Sequence, residues 1–449
     1  MLRIASLRRS FLGSSRTREW RGMTTKTAVM SFGDGSHGAL GLPSSLVGPG
    51  IGGEDSYEPT EIPGLPSDVT TVSAGHYHSL AVTSQGQLWA WGRNHECQLG
   101  RGPSSPRRDS WNQPKLVHGL DGVTVCSSFA SGVISAAIGD DGSLWVWGKS
   151  KRGQLGLGSG ITEAMVPSRV EALSGEKIAK VSFGWGHALA RTEAGRLYGW
   201  GYFADGRIGK VGKSPETSFL DGIGKVGKST SRLSSSSAQE IAEKRVLDGM
   251  EKENDMPILW EPCLVEKLQG LKVIDISCGL DHSLVLCGNG TLLSCGSNIY
   301  GQLGRKNQDL GLLPVDLNSY PTFIASGLGH SLAICSRGSS DDTQEDQRDI
   351  FSWGWNQSSQ LGRTGQESVP SIVPLPEEET AVSVSGGRVH SLALTAKGEV
   401  WVWGCGRNGR LGLGSSNNEI EPIPIESLEG VKVLQAVSGF DHGLLLVSK

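Results

Sequence analysis

Apolar and polar residues along the chain follow the period of β-strands. Residues 272–277 (KVIDIS) alternate apolar and polar side chains, as a strand with one covered face does. Residues 282–286 (HSLVL) form a nearly continuous apolar run, which is expected for a strand covered on both faces. Residues 87–92 (QLWAWG) and 399–404 (EVWVWG) put two aromatic side chains on one face, because side chains two positions apart share a face. The pattern predicts many short strands joined by tight turns.

Two sequence signatures each occur seven times. The first is an aromatic residue (once a cysteine) followed by glycine, with Leu–Gly or Ile–Gly beginning eight residues after the aromatic residue. Its copies begin at Phe32, Trp91, Trp147, Trp200, Cys295, Trp353 and Trp403. The second is G-x-x-H followed by small or apolar residues, with copies that begin at Gly75, Gly132, Gly184, Gly279, Gly327, Gly387 and Gly439. The copy at Gly132 lacks the histidine, and Ser135 is taken to replace it. Successive copies are 48–60 residues apart, with one gap of 95.

Each repeat holds about four short strands, and a single unit of this kind cannot bury both of its faces. Stacking the units around an axis buries them, so the pattern predicts an all-β, seven-bladed β-propeller over residues 28–449. The region begins with an aromatic–glycine strand at Phe32 and ends with a G-x-x-H strand at Gly439. We therefore expect the N- and C-terminal strands to pair in one shared blade, which closes the ring and removes exposed sheet edges. The glycine of G-x-x-H is expected to permit a tight turn or a close backbone approach.

The paired signatures resemble those of the regulator-of-chromosome-condensation repeat family, over almost all of residues 28–449. The resemblance implies a propeller that binds partners and carries out no catalysis. It also implies several possible functions. A nuclear branch exchanges guanine nucleotides on a small GTPase and binds chromatin, and a plant branch senses ultraviolet-B through clustered tryptophans. Mitochondrial members support organelle RNA processing, ribosome assembly and respiratory-complex biogenesis.

The first 22 residues (MLRIASLRRSFLGSSRTREWRG) differ from the rest of the chain in charge. They hold six arginines and one acidic residue, are rich in serine, and lack the apolar core of a secretory signal. They predict a presequence for import into the mitochondrial matrix, with a basic tail for nuclear or nucleic-acid contact as the alternative. Residues 23–449 then keep 36 basic and 45 acidic residues. Such an acidic body is a poor general binder of phosphate backbones, so RNA contact is possible but expected to be indirect.

One segment matches the phosphate-binding loop pattern G-x-x-x-x-G-K-[ST], namely GIGKVGKS at residues 222–229. It lacks the strand before it and the helix after it that this motif requires. The sequence GKVGKS also occurs at residues 209–214, so the match arises within a short duplication. We expect no nucleotide binding through Lys228. The match lies within residues 210–256, a polar segment that explains the long gap and is predicted to be a flexible insert in one blade. The insert is either a partner-binding arm or a tolerated surface insertion.

No catalytic, cofactor-binding or metal-binding residue is predicted, and no cofactor. Because one histidine recurs per blade, it is expected to serve the blade, by bonding backbone at the strand turn. These histidines are His78, His187, His282, His330, His390 and His442. The cysteines form no C-x-x-C pair, which argues against zinc and predicts buried free thiols. They are Cys97, Cys126, Cys263, Cys278, Cys287, Cys295, Cys335 and Cys405.

The light-sensing branch of the family resembles G-W-R-H-T in several blades. In this chain Trp185 is the only tryptophan in the second position of the motif. The other copies carry His76, Val133, Leu280, Leu328, Arg388 and Phe440 at that position. A tryptophan cluster is thus missing from these positions, and we do not expect photoreception.

The sequence predicts a non-enzymatic mitochondrial scaffold that supports organelle RNA processing, with intron splicing as the favoured step, and through it respiratory complex I biogenesis. Its partners would be proteins, either RNA-processing factors or a small GTPase, and no membrane span is expected. One alternative is a guanine-nucleotide exchange factor for a small GTPase, with residues 210–256 as the candidate wedge. Another is a nuclear, chromatin-associated protein.

Overall fold

The computed structural model describes residues 26–44, 53–102, 111–203, 205–209, 257–268, 270–307, 309–337 and 348–449. The predicted presequence and the insert at 210–256, with its phosphate-loop match, lie outside these residues. The described residues form seven four-stranded antiparallel sheets, which are the blades of a propeller. The predicted fold class is therefore confirmed.

Six blades are each made of four consecutive strands, ordered from the central channel outward. Blade 1 contains β3 (Val69–Ala74), β4 (His78–Thr83), β5 (Leu88–Gly92) and β6 (Lys115–Leu116). Blade 2 contains β7 (Val125–Ala130), β8 (Ile134–Gly139), β9 (Leu144–Lys149) and β10 (Glu163–Arg169). Blade 3 contains β11 (Ile178–Phe183), β12 (His187–Thr192), β13 (Leu197–Tyr202) and β14 (Ile258–Leu264). Blade 4 contains β15 (Val273–Cys278), β16 (His282–Cys287), β17 (Leu292–Gly296) and β18 (Leu313–Pro314).

Blade 5 contains β19 (Tyr320–Ser326), β20 (His330–Ser336), β21 (Arg348–Gly354) and β22 (Ser371–Val373). Blade 6 contains β23 (Ala381–Gly386), β24 (His390–Thr395), β25 (Val400–Gly404) and β26 (Glu419–Pro424). Blade 7 joins the two ends of the region, with β27 (Val433–Ser438), β28 (His442–Ser448), β1 (Thr27–Gly33) and β2 (Ser56–Glu61). Short 3-10 turns lie at Glu171–Leu173, Glu266–Leu268, Arg407–Gly409 and Glu426–Leu428.

Blade 7 closes the ring through the pairing predicted from the order of the signatures. Strand β1 pairs with β28 along its whole length, from Thr27 opposite Ser448 to Gly33 opposite His442. The amide of Lys449 also donates to the carbonyl of Lys26 at 2.8 Å. The first and last described residues therefore lie side by side, and the closing blade has the same four-strand order as the others.

The burial of the strands follows their place in the blade. Every residue of β16 is buried, which confirms the prediction for the run HSLVL. In β15 the buried apolar residues are Val273 and Ile276, three positions apart. A bulge between Val273 and Asp275 causes this departure from strict alternation, because an extra residue on one strand reverses the faces that follow it.

The aromatic residue of the first signature is buried between neighbouring blades. The indole Nε1 of Trp147 donates to the carbonyl of Gln98 at 2.8 Å, and that of Trp403 donates to Gln360 at 2.9 Å. In the copy that begins at Cys295, the thiol lies 3.4 Å from the carbonyl of Arg207. The five tryptophans of the signature thus tie their blades to the loop of the blade before, through one indole hydrogen bond each.

The repeated histidines link neighbouring blades through side chains. The Nε2 of His282 lies 3.0 Å from the hydroxyl of Ser331 in the next blade, and that hydroxyl donates to the carbonyl of Gln302 at 2.9 Å. Because the serine uses its only proton on the carbonyl, the imidazole must donate from Nε2. The same pairing joins His78 to Ser135, His187 to Ser283, His330 to Ser391 and His442 to Ser79. The expectation that these side chains bond backbone at the strand turn was wrong.

We call the ring of His–Ser pairs between neighbouring blades the histidine belt. At two junctions between blades this belt lacks the His–Ser hydrogen bond. The assignment of Ser135 to the histidine position was wrong, because Ile134 lies opposite Gly148 just as His78 lies opposite Gly92. The corresponding serine position in blade 3 is Ala188, so the apolar pair of Ile134 and Ala188 replaces the His–Ser pair between blades 2 and 3.

At the other junction, between blades 6 and 7, His390 faces Gly443 where the other blades carry serine. Neither ring nitrogen of His390 has a hydrogen-bond partner among the described residues. A side chain at Gly443 would collide with Phe32, whose ring lies 2.3 Å from the position of an added Cβ.

The glycine of G-x-x-H is required by the histidine rather than by the turn. A Cβ on Gly279 would lie 2.1 Å from the imidazole of His282, although the backbone there is not left-handed. The same short approach recurs at Gly184, Gly327 and Gly387. The sequence predicted that this glycine permits either a tight turn or a close backbone approach. The structure shows a close approach, and the group that approaches the glycine is the imidazole ring of the histidine three residues later.

We expect Gly279→Ala to lower the free energy of unfolding by about 2–3 kcal/mol, because the added methyl group must displace a fully buried ring. The same change in a His282→Ile background is the matched control. Blade 2 carries Ser131 and Ile134 at these two positions, because the amide of Ser131 donates to the carbonyl of Ile134 just as that of Gly279 donates to His282. The chain therefore accepts a side chain at the glycine position where no imidazole is present. Urea unfolding measures the loss caused by Gly279→Ala in each background. Equal losses in the two backgrounds would show that the turn, and not the imidazole, requires glycine.

Candidate functional site

Two sets of loops lie together on one face of the propeller. The histidine of each G-x-x-H turn pairs with the glycine of the aromatic–glycine signature, as His78 does with Gly92 and His282 with Gly296. The G-x-x-H turns and the loops that follow the aromatic–glycine pairs therefore leave the blades at the same end. We call this end of the propeller the motif face.

The second positions of the G-x-x-H turns surround the mouth of the central channel on the motif face. The amide of Trp185 donates to the carbonyl of Leu280 at 2.9 Å, and that of Arg388 donates to Phe440 at 3.0 Å. Such bonds link neighbouring turns and fix the side chains around the mouth. The channel encloses a cavity of about 590 Å³, lined by the innermost strands and by the second-position residues of six blades. In blade 2 the register places Gly132 at the second position.

A series of rings crosses the motif face from an outer loop to the channel mouth. The centroid distances are 4.6 Å between His37 and Tyr77, 6.0 Å between Tyr77 and Phe440, and 4.4 Å between Phe440 and His76. His76 is stacked with Trp185 at 6.4 Å. In the outer loop of blade 1, the rings of His95 and Trp111 meet edge to face at 5.0 Å. We call these seven residues the aromatic track: Trp111, His95, His37, Tyr77, Phe440, His76 and Trp185.

Three arginines lie over rings of the aromatic track. The guanidinium of Arg93 is 4.9 Å from the centre of the Tyr77 ring, that of Arg388 is 4.9 Å from Phe440, and that of Arg152 is 4.6 Å from Trp185. Arg388 and Arg93 also form ion pairs. Arg388 bonds Asp441 at 2.7 Å, and Arg93 bonds Glu96 at 2.5 Å. Cation–π contact and ion pairing together hold these guanidinium groups in fixed positions.

A small pocket lies at the outer end of the track. Its volume is about 180 Å³, and it is lined by His37, Arg93, His95 and Trp111. Every lining side chain ends in a planar group, comprising two imidazoles, a guanidinium and an indole. Because Arg93 lines this pocket and also covers Tyr77, it connects the pocket to the rest of the track.

Burial keeps the imidazoles of His76 and His37 in the aromatic track neutral at pH 7. Exclusion of water lowers the pKa of His76 to about 4. Burial also lowers the pKa of His37, although the nearby carboxylate of Asp34 opposes the shift. A neutral imidazole offers one donor and one acceptor nitrogen. The two imidazoles therefore contribute polar edges and ring faces to the aromatic track, and no positive charge at pH 7.

Sequence reasoning identified only part of this site. It singled out the second positions, including His76, Trp185, Arg388 and Phe440, and the structure brings these together at the channel mouth. It missed the track residues Tyr77, His37, His95 and Trp111. A usable signal was the loop after the aromatic–glycine pair, where FGDGSH and WGRNHE each carry a histidine that the other copies lack.

The cysteines differ more in burial than was predicted. Cys287, Cys295 and Cys335 are buried, whereas Cys126 is exposed and the other four are intermediate. Burial raises the pKa of Cys278 to about 11 and of Cys295 and Cys335 to about 12, so these thiols are protonated and unreactive at neutral pH. Among the residues that the structure describes, no group of three or more His, Cys, Asp or Glu side chains could hold a metal ion. No helix in that part of the chain is long and apolar enough to cross a membrane.

The chain is similar in sequence to several characterised proteins. It is 29% identical to the ultraviolet-B receptor UVR8 of Arabidopsis thaliana over 408 residues, which cover 89% of this chain and 78% of that protein. It is 27% identical to the mitochondrial RCC1 domain-containing protein RUG3 of the same plant over 450 residues, covering 94% and 88%. It is 26% identical to the human regulator of chromosome condensation over 437 residues, covering 93% and 90%.

Solved structures share the fold. Prp20p of Saccharomyces cerevisiae superposes with a TM-score of 0.71 at 22% identity, over 95% of this chain and 92% of that one. Human WBSCR16 gives a TM-score of 0.72 at 20% identity, over 94% and 99%. The sequence profile of the RCC1-like domain matches residues 28–445, which include all but the last few residues of the seven blades. The chain is therefore a member of the RCC1-like domain family.

Proposed function

We propose that the protein is a mitochondrial scaffold that supports organelle RNA processing, in particular intron splicing, and thereby the biogenesis of respiratory complex I. The aromatic track is the structural observation that carries the proposal. It forms a fixed, partly exposed surface of rings and guanidinium groups, and surfaces of this composition are typical of binding sites. The arginine-rich start of the chain and the similarity to a mitochondrial relative support the location.

The RNA-processing role is tested with a loss-of-function line. We expect intron-containing precursors of organelle transcripts to accumulate in that line and the amount of assembled complex I to fall. Complementation with the full chain should restore both, whereas a chain without residues 1–22 should restore neither. Normal organelle transcripts in the line without the protein would refute this role.

The location is tested separately with residues 1–30 fused to a fluorescent protein. We expect the fusion to accumulate in mitochondria, because six arginines with a single acidic residue suit import across an inside-negative membrane. A version with the arginines replaced by glutamine should remain in the cytosol. Accumulation of the original fusion in the nucleus would instead favour a nuclear, chromatin-associated protein.

Guanine-nucleotide exchange is the second candidate function. It is supported by similarity to the murine secretion-regulating guanine nucleotide exchange factor, 29% identical over 70% of this chain and 62% of that protein. Prp20p, which shares the fold, binds Gsp1p and histones. Accelerated nucleotide release from an organelle GTPase in the presence of the full chain would favour this function. The candidate wedge at residues 210–256 would then be required, and its deletion should remove the acceleration.

A further inference from the structure

We propose that the aromatic track binds unpaired nucleotides of single-stranded RNA directly, by stacking their bases on the exposed faces of its rings and guanidinium groups. The inference deepens the proposed function and rests on it for the choice of RNA. It also revises the expectation that RNA contact is indirect.

The exposed ends of the track can hold bases. Neighbouring rings lie 4.4–6.4 Å apart along the path from His37 through Tyr77 to Trp185, so they pack against one another and support the exposed rings in fixed positions. Trp185 ends the path at the channel mouth with 46% of its surface exposed. Every nucleobase has a flat π face, so it can stack on aromatic side chains or on guanidinium planes regardless of sequence.

The outer pocket favours a nucleobase over a peptide side chain. Its four lining side chains carry no aliphatic surface at their ends, and two of them are imidazoles. Peptide recognition usually places an aliphatic or aromatic anchor in an apolar pocket. A planar, polar ring that stacks on the exposed imidazole of His95 fits this lining better than an aliphatic anchor does.

The charges on the track explain how an acidic protein could hold RNA. Arg93 and Arg388 already form ion pairs with Glu96 and Asp441. Their guanidinium groups therefore offer flat faces for stacking, while most of their positive charge is neutralised by the paired carboxylates. Affinity would then come mainly from the stacking of bases on side-chain rings, to which every base can contribute. Double-stranded RNA hides its base faces, so it should bind poorly to such a surface.

The test measures the binding of a labelled oligouridylate of about ten nucleotides to the full chain by fluorescence anisotropy. Trp185→Ala and His95→Ala remove exposed rings at the two ends of the track. Each is expected to weaken binding about 10- to 100-fold. Trp355→Ala is the matched control, since Trp355 belongs to a separate pair with Tyr300 at 5.6 Å on the same face, and it should change the affinity less than about twofold. Thermal unfolding checks that all three variants remain folded.

The salt dependence separates stacking from general attraction to phosphate. We expect log Kd to change with log salt with a slope of about 1 or less, because few phosphates are neutralised. A steep slope together with unchanged affinity in Trp185→Ala and His95→Ala would overturn the inference. So would failure of the full chain to bind the oligonucleotide, or equal competition by duplex RNA of the same length.

The transcripts of the line without the protein and RNA binding by the pure protein together distinguish this inference from the proposed function. If the line without the protein accumulates unspliced transcripts while the pure protein binds no RNA, the inference fails and the scaffold function stands, with a protein as the occupant of the track. If RNA binding depends on the track but organelle transcripts are normal in that line, the inference stands and the splicing role fails.

Discussion

Deleting β28 (His442–Ser448) is expected to abolish cooperative folding of the whole propeller. This strand pairs with β27 on one side and along all of β1 on the other. It also buries Leu444, Leu445 and Leu446, and each fully buried leucine contributes about 1.5–3 kcal/mol. Without β28, two strands gain unpaired edges and the ring opens. The combined loss is comparable to the entire stability of a typical domain, about 5–15 kcal/mol.

The measurement is thermal unfolding followed by circular dichroism, together with the yield of soluble protein. Deletion of Lys449 alone is the matched control. It removes one backbone bond to Lys26 and an exposed ion pair with Glu61, so it should cost about 1 kcal/mol or less. If the chain without β28 unfolded with unchanged midpoint and cooperativity, the closing blade would not hold the ring together.

The second large effect is a loss of stability in mild acid, caused by the histidine belt. Burial lowers the pKa of His282 and His442 to about 4, and of His78 and His330 to about 3. In the unfolded chain these side chains titrate near 6.5, so between the two values the unfolded state binds more protons. The stabilising contribution is complete above the unfolded pKa and is lost as the pH falls toward the folded values. For His282 alone this amounts to about 3 kcal/mol.

Urea unfolding between about pH 7 and about pH 4 measures this dependence. We expect a steep fall in the free energy of unfolding across that range, with an uptake of several protons. The double variant His282→Ile with Ser331→Ala reproduces the apolar pair that the chain itself has at Ile134 and Ala188. It should fold and reduce the slope by about 1.4 kcal/mol per pH unit, the value of one proton. An unchanged slope would mean that His282 is not among the groups that cause the acid effect.

The double variant also separates the hydrogen bond from the packing. His282→Ile alone leaves the hydroxyl of Ser331 without its donor, and Ser331→Ala alone leaves the buried Nε2 unpaired. The losses in the free energy of unfolding of the two single variants should therefore add up to more than the loss in the double variant. The difference, which is the coupling free energy of the pair, should be about 1–2 kcal/mol.

Much of the fold could be predicted because every blade repeats the same residues. Seven copies of each signature indicated the number of blades, and their order at the two ends predicted the pairing of β1 with β28. The repeat was less informative where one copy departs from it. The alignment at Ser135 failed because GVISAAI contains no histidine to fix the register, and only the pairing of Ile134 with Gly148 identifies the position.

The sequence by itself determined the architecture and the closure of the ring, because strand period and repeat spacing are local properties that each blade expresses independently. The tertiary structure decided how the blades are joined and which residues form the binding surface. The His–Ser belt connects side chains about 50 or more residues apart. The aromatic track brings His37, Tyr77, Trp185 and Phe440 together from opposite ends of the chain. Such contacts form between blades that pack against each other, so the pattern within a single repeat does not specify them.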